Sequence, residues 1–270
     1  MAPQPGRFYL RRDFVNANTK EKIIVIIPAR MGSSRFPGKP LAPILGRPMI
    51  EHVYRRTEMC TLLSGVYVAT CDEEIRLAVK KFGGNVIMTS PLHQRASDRV
   101  AEAAQTLSAD IVVMVQGDEP LVTPQMIAKS VVPLLERTDC FCVNLVQRIE
   151  NADDFEDPNT IKVVMDRTGN AIYFSREPIP TRRILGFDKL QTYKQVCIIP
   201  FFKEMLFRFN ELSPTPLEQA ESIDMLRVME HGYKVQLVES PDKTQSVDTL
   251  ADLKKVEILM QQDLLSKKYL

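Results

Sequence analysis

The chain has 270 residues, with 35 lysines and arginines against 34 aspartates and glutamates, so its formal net charge is +1. A chain of this length can bury a sizeable core, and its balanced charge provides no broad basic surface for nucleic acid. No apolar run approaches the roughly 18 residues that a membrane-spanning helix needs. We therefore expect a globular protein with local charge chemistry, and neither nucleic acid nor a membrane as its partner.

The five cysteines are an odd number, lack CxxC spacing and mostly lie within apolar runs. Reduced, buried thiols are typical of cytosolic proteins, so we expect a cytoplasmic location. At the N-terminus, residues 1–21 mix basic residues with polar residues and prolines and contain no apolar signal-peptide core. We expect residues 1–21 to form a flexible N-terminal extension.

Short β-rich runs alternate with helical patterns over the first part of the chain. The predicted strands are residues 23–29, 66–71, 85–89, 110–116 and 140–146. Their apolar runs lack alternation, which is typical of strands covered on both faces. Between two of them, Asp72 to Phe82 carries acids in its first turn and lysines in its last, as a helix does. This alternation predicts a doubly wound α/β fold with a mostly parallel sheet.

The pattern changes after about residue 150. Short strands are predicted at residues 161–166, 171–174 and 193–200, followed by one helix from Pro216 to Glu230, a strand in KVQLVES and a last helix from Thr249. These short strands predict a smaller mixed β region packed on the same core.

The stretch IIVIIPARMGSSRFPGKPL, residues 23–41, places glycines, serines and basic residues directly after the first strand. In open α/β sheets, ligands bind beyond the carboxyl ends of the strands. Small residues let backbone N–H groups approach phosphate oxygens, and Arg30, Arg35 and Lys39 can neutralise a polyphosphate. The stretch predicts a polyphosphate site, with a solvated basic loop as the alternative.

Two common phosphate-binding loops do not fit this stretch. A Walker loop has four residues between its first glycine and the Gly-Lys pair, followed by Ser or Thr. Here five residues separate Gly32 from Gly38, and Pro40 follows Lys39. Proline offers neither a hydroxyl for magnesium nor an N–H for phosphate. The dinucleotide motif GxGxxG is also absent, so P-loop kinases and dehydrogenases are both disfavoured.

The motif PARxxSSRxPGKPL, followed by GRPMIEHV, resembles the signature of nucleotidyltransferases that activate sugars. It is most similar to the CMP-KDO synthetases, the 3-deoxy-manno-octulosonate (KDO) cytidylyltransferases. Further segments follow the family order from about residue 22 to about residue 257: VYVATCDEEI, HQRASDR, VVMVQGDEP, NTIKVVMD, AIYFSREPIP, SPTPLEQAESIDMLR and VDTLADL. The resemblance implies a nucleotide-diphospho-sugar transferase-like fold.

The resemblance also implies a division of the chain. A cytidylyltransferase domain would span residues 22–257, with its nucleotide-binding part at about 22–150 and its acceptor and dimerisation part at about 151–245. Residues 258–270 would form the end of the C-terminal helix. A homodimer is implied, and its predicted contact is the apolar run near residues 171–202.

The implied reaction is transfer of CMP from CTP to a hydroxyl of an acidic sugar, KDO or a close derivative, with release of pyrophosphate. The resemblance assigns catalysis to Arg30, Lys39 and Asp118, and the cofactor Mg²⁺ to Asp118 and Asp248. By chemistry alone, Asp118 after a buried strand suits Mg²⁺, with an exposed turn acid as the alternative. Asp248 is equally consistent with a helix cap.

The remaining predicted site residues form two groups. The predicted nucleotide-binding residues are Ala29, Arg30, Ser33, Arg35, Lys39, Ser97, Arg99 and Gln116. The predicted acceptor-binding residues are Arg95, Arg176, Gln195, Glu221 and Asp224. Glu221 and Asp224 are three residues apart and are expected on one face of the predicted helix; a solvated helix face would have the same spacing.

Three differences from the family pattern lie at the acceptor end. Arg95 replaces a small hydroxyl residue, Gln195 begins the run where the family usually has a histidine, and Asp224-Met225 replaces a Glu-Gln pair. These differences are compatible with several acceptors besides KDO: an amino-substituted KDO, another ulosonic acid, or a phosphonate or phosphate held by Arg95. The sequence is also compatible with a uridylyl- or guanylyltransferase of related fold and with a catalytically silent nucleotide-binding relative.

Overall fold

The structure, a computed structural model, describes residues 21–32, 36–136, 139–189 and 191–270. Its strands are β1 (Ile23–Pro28), β2 (Pro43–Ile44), β3 (Arg47–Pro48), β4 (Leu63–Thr70), β5 (Val86–Met88), β6 (Ile111–Val115), β7 (Cys142–Arg148), β8 (Lys162–Met165), β9 (Ala171–Ser175), β10 (Tyr193–Val196), β11 (Ile198–Phe202) and β12 (Val235–Glu239). Its α-helices are α1 (Met49–Glu58), α2 (Glu73–Lys81), α3 (Ala96–Gln105), α4 (Pro124–Leu135), α5 (Ala152–Glu156), α6 (Lys203–Glu211), α7 (Pro216–Glu221), α8 (Asp224–Glu230) and α9 (Leu250–Gln262). Apart from Glu21, the predicted N-terminal extension lies outside the described residues.

The first sheet has the strand order β11-β6-β1-β4-β5. Strands β6, β1, β4 and β5 are parallel, and β11 runs antiparallel to β6 at the edge. Ile23, Val25 and Ile27 of β1 pack in one apolar cluster with α1, α2 and α4. Ile24 and Ile26 face the opposite cluster, with α3 and α6. Helices cover both faces, so the predicted doubly wound α/β fold is confirmed.

The second sheet has the strand order β12-β7-β10-β8-β9. Strand β12 is parallel to β7, and the other pairs are antiparallel, as the predicted mixed β region requires. Strand β7 precedes residue 150 but belongs to the second sheet. Strand β11 follows residue 150 but completes the first sheet. The boundary between the sheets therefore does not follow the predicted division, because an apolar run predicts burial without predicting which strand is its neighbour.

Two predicted elements are each split in the structure. The single helix predicted from Pro216 to Glu230 is wrong: α7 ends at Glu221, the next residue Ser222 has a left-handed φ of 55°, and α8 starts at Asp224. Glu221 and Asp224 therefore do not share one helical face. The strand predicted at residues 193–200 is β10 in the second sheet and β11 in the first. Neither break carries the glycine that usually marks one.

The C-terminal segment packs on α1 through His52, which is fully buried. The ring Nε2 lies 2.8 Å from the Ile44 carbonyl oxygen, and Nδ1 lies 2.8 Å from the Tyr269 hydroxyl. Because a carbonyl oxygen can only accept, Nε2 carries the proton of the neutral ring and Nδ1 accepts from Tyr269.

None of the helices in the described parts of the chain is long and apolar enough to cross a membrane.

Acidification is expected to weaken the fold through His52. Burial lowers the pKa of His52 more than its hydrogen bond to Ile44 raises it. The unfolded chain therefore takes up this proton first, and the stability that the neutral ring provides is present above about pH 6.5 and lost as the pH falls below it. A single proton changes the unfolding free energy by at most about 1.4 kcal/mol per pH unit.

The measurement is urea unfolding at pH 7.5 and pH 5.5 of the parent, His52→Gln and His231→Gln. His231 is an exposed histidine that directly follows α8, and it serves as the matched control. We expect His52→Gln to lose less stability than the parent on acidification, and His231→Gln to behave as the parent does. An equal loss in the parent and in His52→Gln would contradict the assignment.

Candidate functional site

An open cleft lies beyond the carboxyl ends of β1 and β6, where the polyphosphate site was predicted. Its lining residues are Pro28, Ala29, Arg30, Lys39, Pro40, Met49, His93, Gln94, Arg95, Ala96, Arg99, Gln116, Gly117, Asp118 and Asp248. Segments that lie up to about 220 residues apart in the sequence therefore meet around one cleft. The predicted site residues that line this cleft are Ala29, Arg30, Lys39, Arg95, Arg99, Gln116, Asp118 and Asp248.

Lys39 lies between the two predicted metal-binding carboxylates. Its Nζ is 2.7 Å from Asp118 Oδ2 and 3.5 Å from Asp248 Oδ1, and it donates to the Val247 carbonyl oxygen at 2.9 Å. Burial alone would lower the pKa of Lys39, but the charges and hydrogen bonds of Asp118 and Asp248 outweigh it, so the pKa is raised. Lys39 is therefore a firmly protonated cation held by two acids.

Backbone contacts bring these acids together from distant parts of the chain. The Val247 amide donates to the Asp118 carbonyl oxygen at 2.9 Å, which places Asp248 beside the turn after β6. On the other side of that turn, a Cβ at Gly117 would lie 3.0 Å from the Pro28 carbonyl oxygen, so a side chain there would force the ends of β6 and β1 apart. The close approach of the two strand ends sets the distance from Asp118 to residues 29–41, the basic loop that follows β1.

The structure shows that Asp248 is not a helix cap. The N-cap of α9 is Thr249, whose Oγ1 accepts from the Asp252 amide at 3.2 Å while its own amide donates to Asp252 Oδ2 at 2.9 Å. Asp248 faces the cleft and Lys39 instead. Its assignment to Mg²⁺ stays a prediction.

Glu119 has no predicted role, yet it is almost fully buried next to Asp118. Its Oε2 accepts from the Thr244 hydroxyl at 3.0 Å and its Oε1 from the Cys197 amide at 3.4 Å. Burial, and then the charge of Asp118, raises the pKa of Glu119 to about 7. Glu119 thus joins the turn after β6 to two other segments and fixes the position of Asp118; the adjacent acids in QGDEP were the only sequence signal.

One wall of the cleft is the HQRASDR segment, which leads into α3. Arg99 is buried and its Nη1 donates to the Thr89 hydroxyl at 2.5 Å. His93 and Gln94 also line the cleft, although neither was singled out as a predicted site residue, and His93 pairs with Glu102. Their place in the quoted motif was the signal that could have identified them.

Arg95 joins this wall to α7 and α8. Its Nη1 pairs with Asp224, and its Nε lies 3.1 Å from Glu218 Oε1. Ser97, predicted to bind nucleotide, does not line the cleft and donates instead to Asp224 Oδ2 at 2.9 Å. Burial raises the pKa of Asp224 more than the charge of Arg95 lowers it. The Arg95 guanidinium is therefore already paired with two carboxylates, one of which it shares with Arg227.

The predicted acceptor residues Arg176, Gln195 and Glu221 do not line the described cleft. Glu221 accepts from the Ser175 hydroxyl at 2.9 Å and the Arg176 amide at 2.8 Å, and the Arg176 Nε donates to the Glu221 carbonyl oxygen at 2.7 Å. Gln195 donates to Asn144 Oδ1 at 2.6 Å. The contacts of Glu221 join α7 to the end of β9, and the contact of Gln195 joins β10 to β7. The acceptor roles of these residues stay predictions.

Two predicted nucleotide-binding residues, Ser33 and Arg35, lie outside the described residues. The structure describes the basic loop up to Gly32 and again from Phe36 onwards.

The sequence of the chain is similar to those of several known proteins. A family model described as cytidylyltransferase matches residues 24–263. The chain is 46% identical over 244 residues to 3-deoxy-manno-octulosonate cytidylyltransferase of Geobacter metallireducens, a match that covers 87% of this chain and 96% of the relative. The protein of the same name from Geotalea uraniireducens is also 46% identical over 244 residues, with 87% and 97% covered.

Solved structures extend the comparison to three dimensions. CMP:2-keto-3-deoxy-manno-octonic acid synthetase complexed with CTP has a TM-score of 0.83 and 38% identity, covering 90% of this chain and 100% of that chain. A 4-diphosphocytidyl-2C-methyl-D-erythritol synthase from Anaerococcus prevotii, at 15% identity and a TM-score of 0.61 over 90% of this chain and 100% of that chain, shares the fold alone. With the family model matching most of its length, the chain belongs to the cytidylyltransferase family.

Proposed function

We propose that the protein transfers CMP from CTP to a hydroxyl of KDO and releases pyrophosphate. The observation that carries this proposal is the joint presence of Arg30, Lys39, Asp118 and Asp248 in one cleft at the strand ends. Two basic groups suit a triphosphate, and two carboxylates suit the cation that accompanies it. The high identity to relatives named for this reaction supports the same substrates.

The residues present fit a magnesium ion. Asp118 and Asp248 already hold one cation between them, the ammonium of Lys39, at 2.7 and 3.5 Å. Mg²⁺ is usually bound by one or two carboxylates together with waters and substrate phosphates, so two carboxylates suffice. Asp118 and Asp248 would hold Mg²⁺, which when bound supplies charge neutralisation for the triphosphate and polarises the attacking hydroxyl.

The chain's own residues contribute positioning and charge. The acceptor hydroxyl oxygen forms a bond to the α-phosphorus of CTP, the bond from that phosphorus to the pyrophosphate oxygen breaks, and the hydroxyl proton passes to solvent. Arg30 and Lys39 stabilise the negative charge on the phosphate oxygens, with Lys39 exchanging its carboxylate partners for phosphate. Ala29, Arg30 and Gln116 line the part of the cleft that we assign to the cytidine.

The acceptor end favours a sugar acid over a phosphonate or phosphate. Arg95 was the predicted partner of such an anion, but its Nε and Nη1 are paired with Glu218 and Asp224. A doubly charged anion would have to displace these carboxylates, one of which is fully buried. KDO with a single carboxylate makes a smaller demand on Arg95, and an amino-substituted KDO or another ulosonic acid would make the same demand.

The test is pyrophosphate release from CTP, UTP or GTP with Mg²⁺ and a panel of acceptors. We expect release with CTP and KDO, and none when either Mg²⁺ or the acceptor is omitted. Release with UTP or GTP in preference to CTP would replace the nucleotide assignment. CTP binding without release with any acid would identify a catalytically silent relative.

We also propose that the protein is a cytoplasmic homodimer whose product enters lipopolysaccharide biosynthesis. Strand β9 is an edge strand, and its Ile172 is 57% exposed; Ile184, in the following loop, is 87% exposed. Exposed apolar side chains on a sheet edge are typical of an interface. Sedimentation velocity tests the proposal, and replacement of Ile172 by lysine is expected to shift a dimer towards the monomer.

A further inference from the structure

Asp72 occupies the N-cap position of α2, but its carboxylate does not cap that helix. An aspartate at an N-cap ordinarily accepts from an amide of the first turn of its own helix. Instead, Asp72 Oδ2 accepts from the amide of Met31, 41 positions earlier in the sequence, at 2.8 Å. The Asp72 carboxylate therefore contacts the basic loop instead of the first turn of α2.

The sheet explains how this contact arises. Strands β1 and β4 are parallel neighbours, so the turns that follow them meet at the same edge of the sheet. The Ala29 amide extends this pairing by donating to the Ala69 carbonyl oxygen at 3.0 Å. The next residue, Thr70, is fully buried and its hydroxyl accepts from the Asp72 amide at 3.1 Å, which orients Asp72 towards β1.

Met31 is the residue through which the basic loop is held. Its amide donates to Asp72, while its carbonyl oxygen accepts from the Gly38 amide at 3.0 Å. Gly38 has a φ of 74°, a left-handed conformation that favours glycine. Arg30 directly precedes Met31 and Lys39 directly follows Gly38, so two of the cations that line the cleft are next to residues that these hydrogen bonds hold.

We propose that Asp72 is a positioning residue for CTP, a role that rests on the proposed function of the cleft. Its carboxylate fixes Met31, and Met31 fixes Gly38, so that Arg30 and Lys39 face the same triphosphate. Asp72 is not among the residues that line the cleft and acts through the loop. A small displacement of positioning groups can reduce the rate about 100-fold.

The first test compares Asp72→Ala with Asp72→Asn. Alanine removes the acceptor, whereas the asparagine side-chain oxygen can still accept from Met31. We expect Asp72→Ala to lower kcat/KM for CTP by about 10- to 100-fold, with the KM for the acceptor acid unchanged. Asp72→Asn should stay within about threefold of the parent. Glu74→Ala, which removes an exposed carboxylate from the same first turn of α2, is the matched control.

Two kinetic outcomes would overturn the proposal. One is parent-like activity in Asp72→Ala. The other is an equal loss of kcat/KM for CTP in Asp72→Ala and Asp72→Asn, which would indicate that activity depends on the negative charge of Asp72 rather than on its hydrogen bond to Met31.

A second readout does not depend on turnover. Amide hydrogen exchange of the ligand-free protein should be faster at Met31 in Asp72→Ala and close to the parent in Asp72→Asn and in Glu74→Ala. Unchanged exchange at Met31 in Asp72→Ala would overturn the proposal even if the enzyme is active. If the parent releases no pyrophosphate, the proposed function fails, and the exchange rates still decide whether Asp72 holds the loop.

Discussion

Replacing Lys39 or Asp118 by alanine is expected to lower turnover with CTP by about 100- to 1,000-fold while the fold is retained. Both side chains line the cleft, and they form an ion pair with each other at 2.7 Å. Lys39→Ala removes the cation that stabilises developing charge on the phosphates. Asp118→Ala removes one of two carboxylates predicted for Mg²⁺, so its activity should also require more Mg²⁺.

Steady-state pyrophosphate release over a range of Mg²⁺ concentrations measures both effects. The control is Lys234→Ala, which removes an exposed lysine whose ion pair with Asp139 spans 3.5 Å at the surface. Exposed pairs of this kind contribute little, so the control should match the parent. Near-normal turnover in Lys39→Ala or in Asp118→Ala would remove that residue from the catalytic assignment.

Glu218→Ala is expected to lower the free energy of unfolding by about 3–5 kcal/mol, because it leaves a buried arginine without its partner. Glu218 is fully buried and Arg227 nearly so. The carboxylate accepts from Arg227 Nε at 2.7 Å and from Nη2 at 2.6 Å, a two-point pairing. Glu218 also contacts Arg95, so its loss should loosen the acceptor end of the cleft as well.

Urea unfolding at neutral pH measures this loss. The control is Glu211→Ala, which breaks an exposed pair with Arg208 of 2.9 Å and should cost less than about 1 kcal/mol. A double variant, Glu218→Met with Arg227→Met, should recover much of the stability, since no unpaired charge then remains from this pair. If Glu218→Ala costs no more than Glu211→Ala, the pair does not have the structural role that its geometry indicates.

The parts of the fold that could be predicted are those with local signals. An uninterrupted apolar run such as IIVIIP predicts a strand buried on both faces, and β1 is buried along its whole length. Gly, Pro and basic residues after that strand predict a ligand site, because parallel strand ends gather loops at one edge of a sheet. For the same reason Arg30, Lys39 and Asp118 could be assigned to one cleft before the structure was known.

The features that could not be predicted depend on contacts between distant residues. The break at Ser222 has no glycine or proline, and β10 and β11 separate only because their partners lie in different sheets. Whether an aspartate at a helix start caps its own helix or a neighbouring loop is set by the strand beside it, as at Asp72. The partners of Glu221 are likewise distant in sequence, since its carboxylate accepts from Ser175 and Arg176.

The most direct test of the proposed site is a structure of the protein with CTP and Mg²⁺ bound. We expect the triphosphate to lie in the cleft, Lys39 and Arg30 to contact phosphate oxygens, and Asp118 and Asp248 to hold the metal ion. A triphosphate bound outside the cleft, or a metal ion held without either aspartate, would contradict the proposed site.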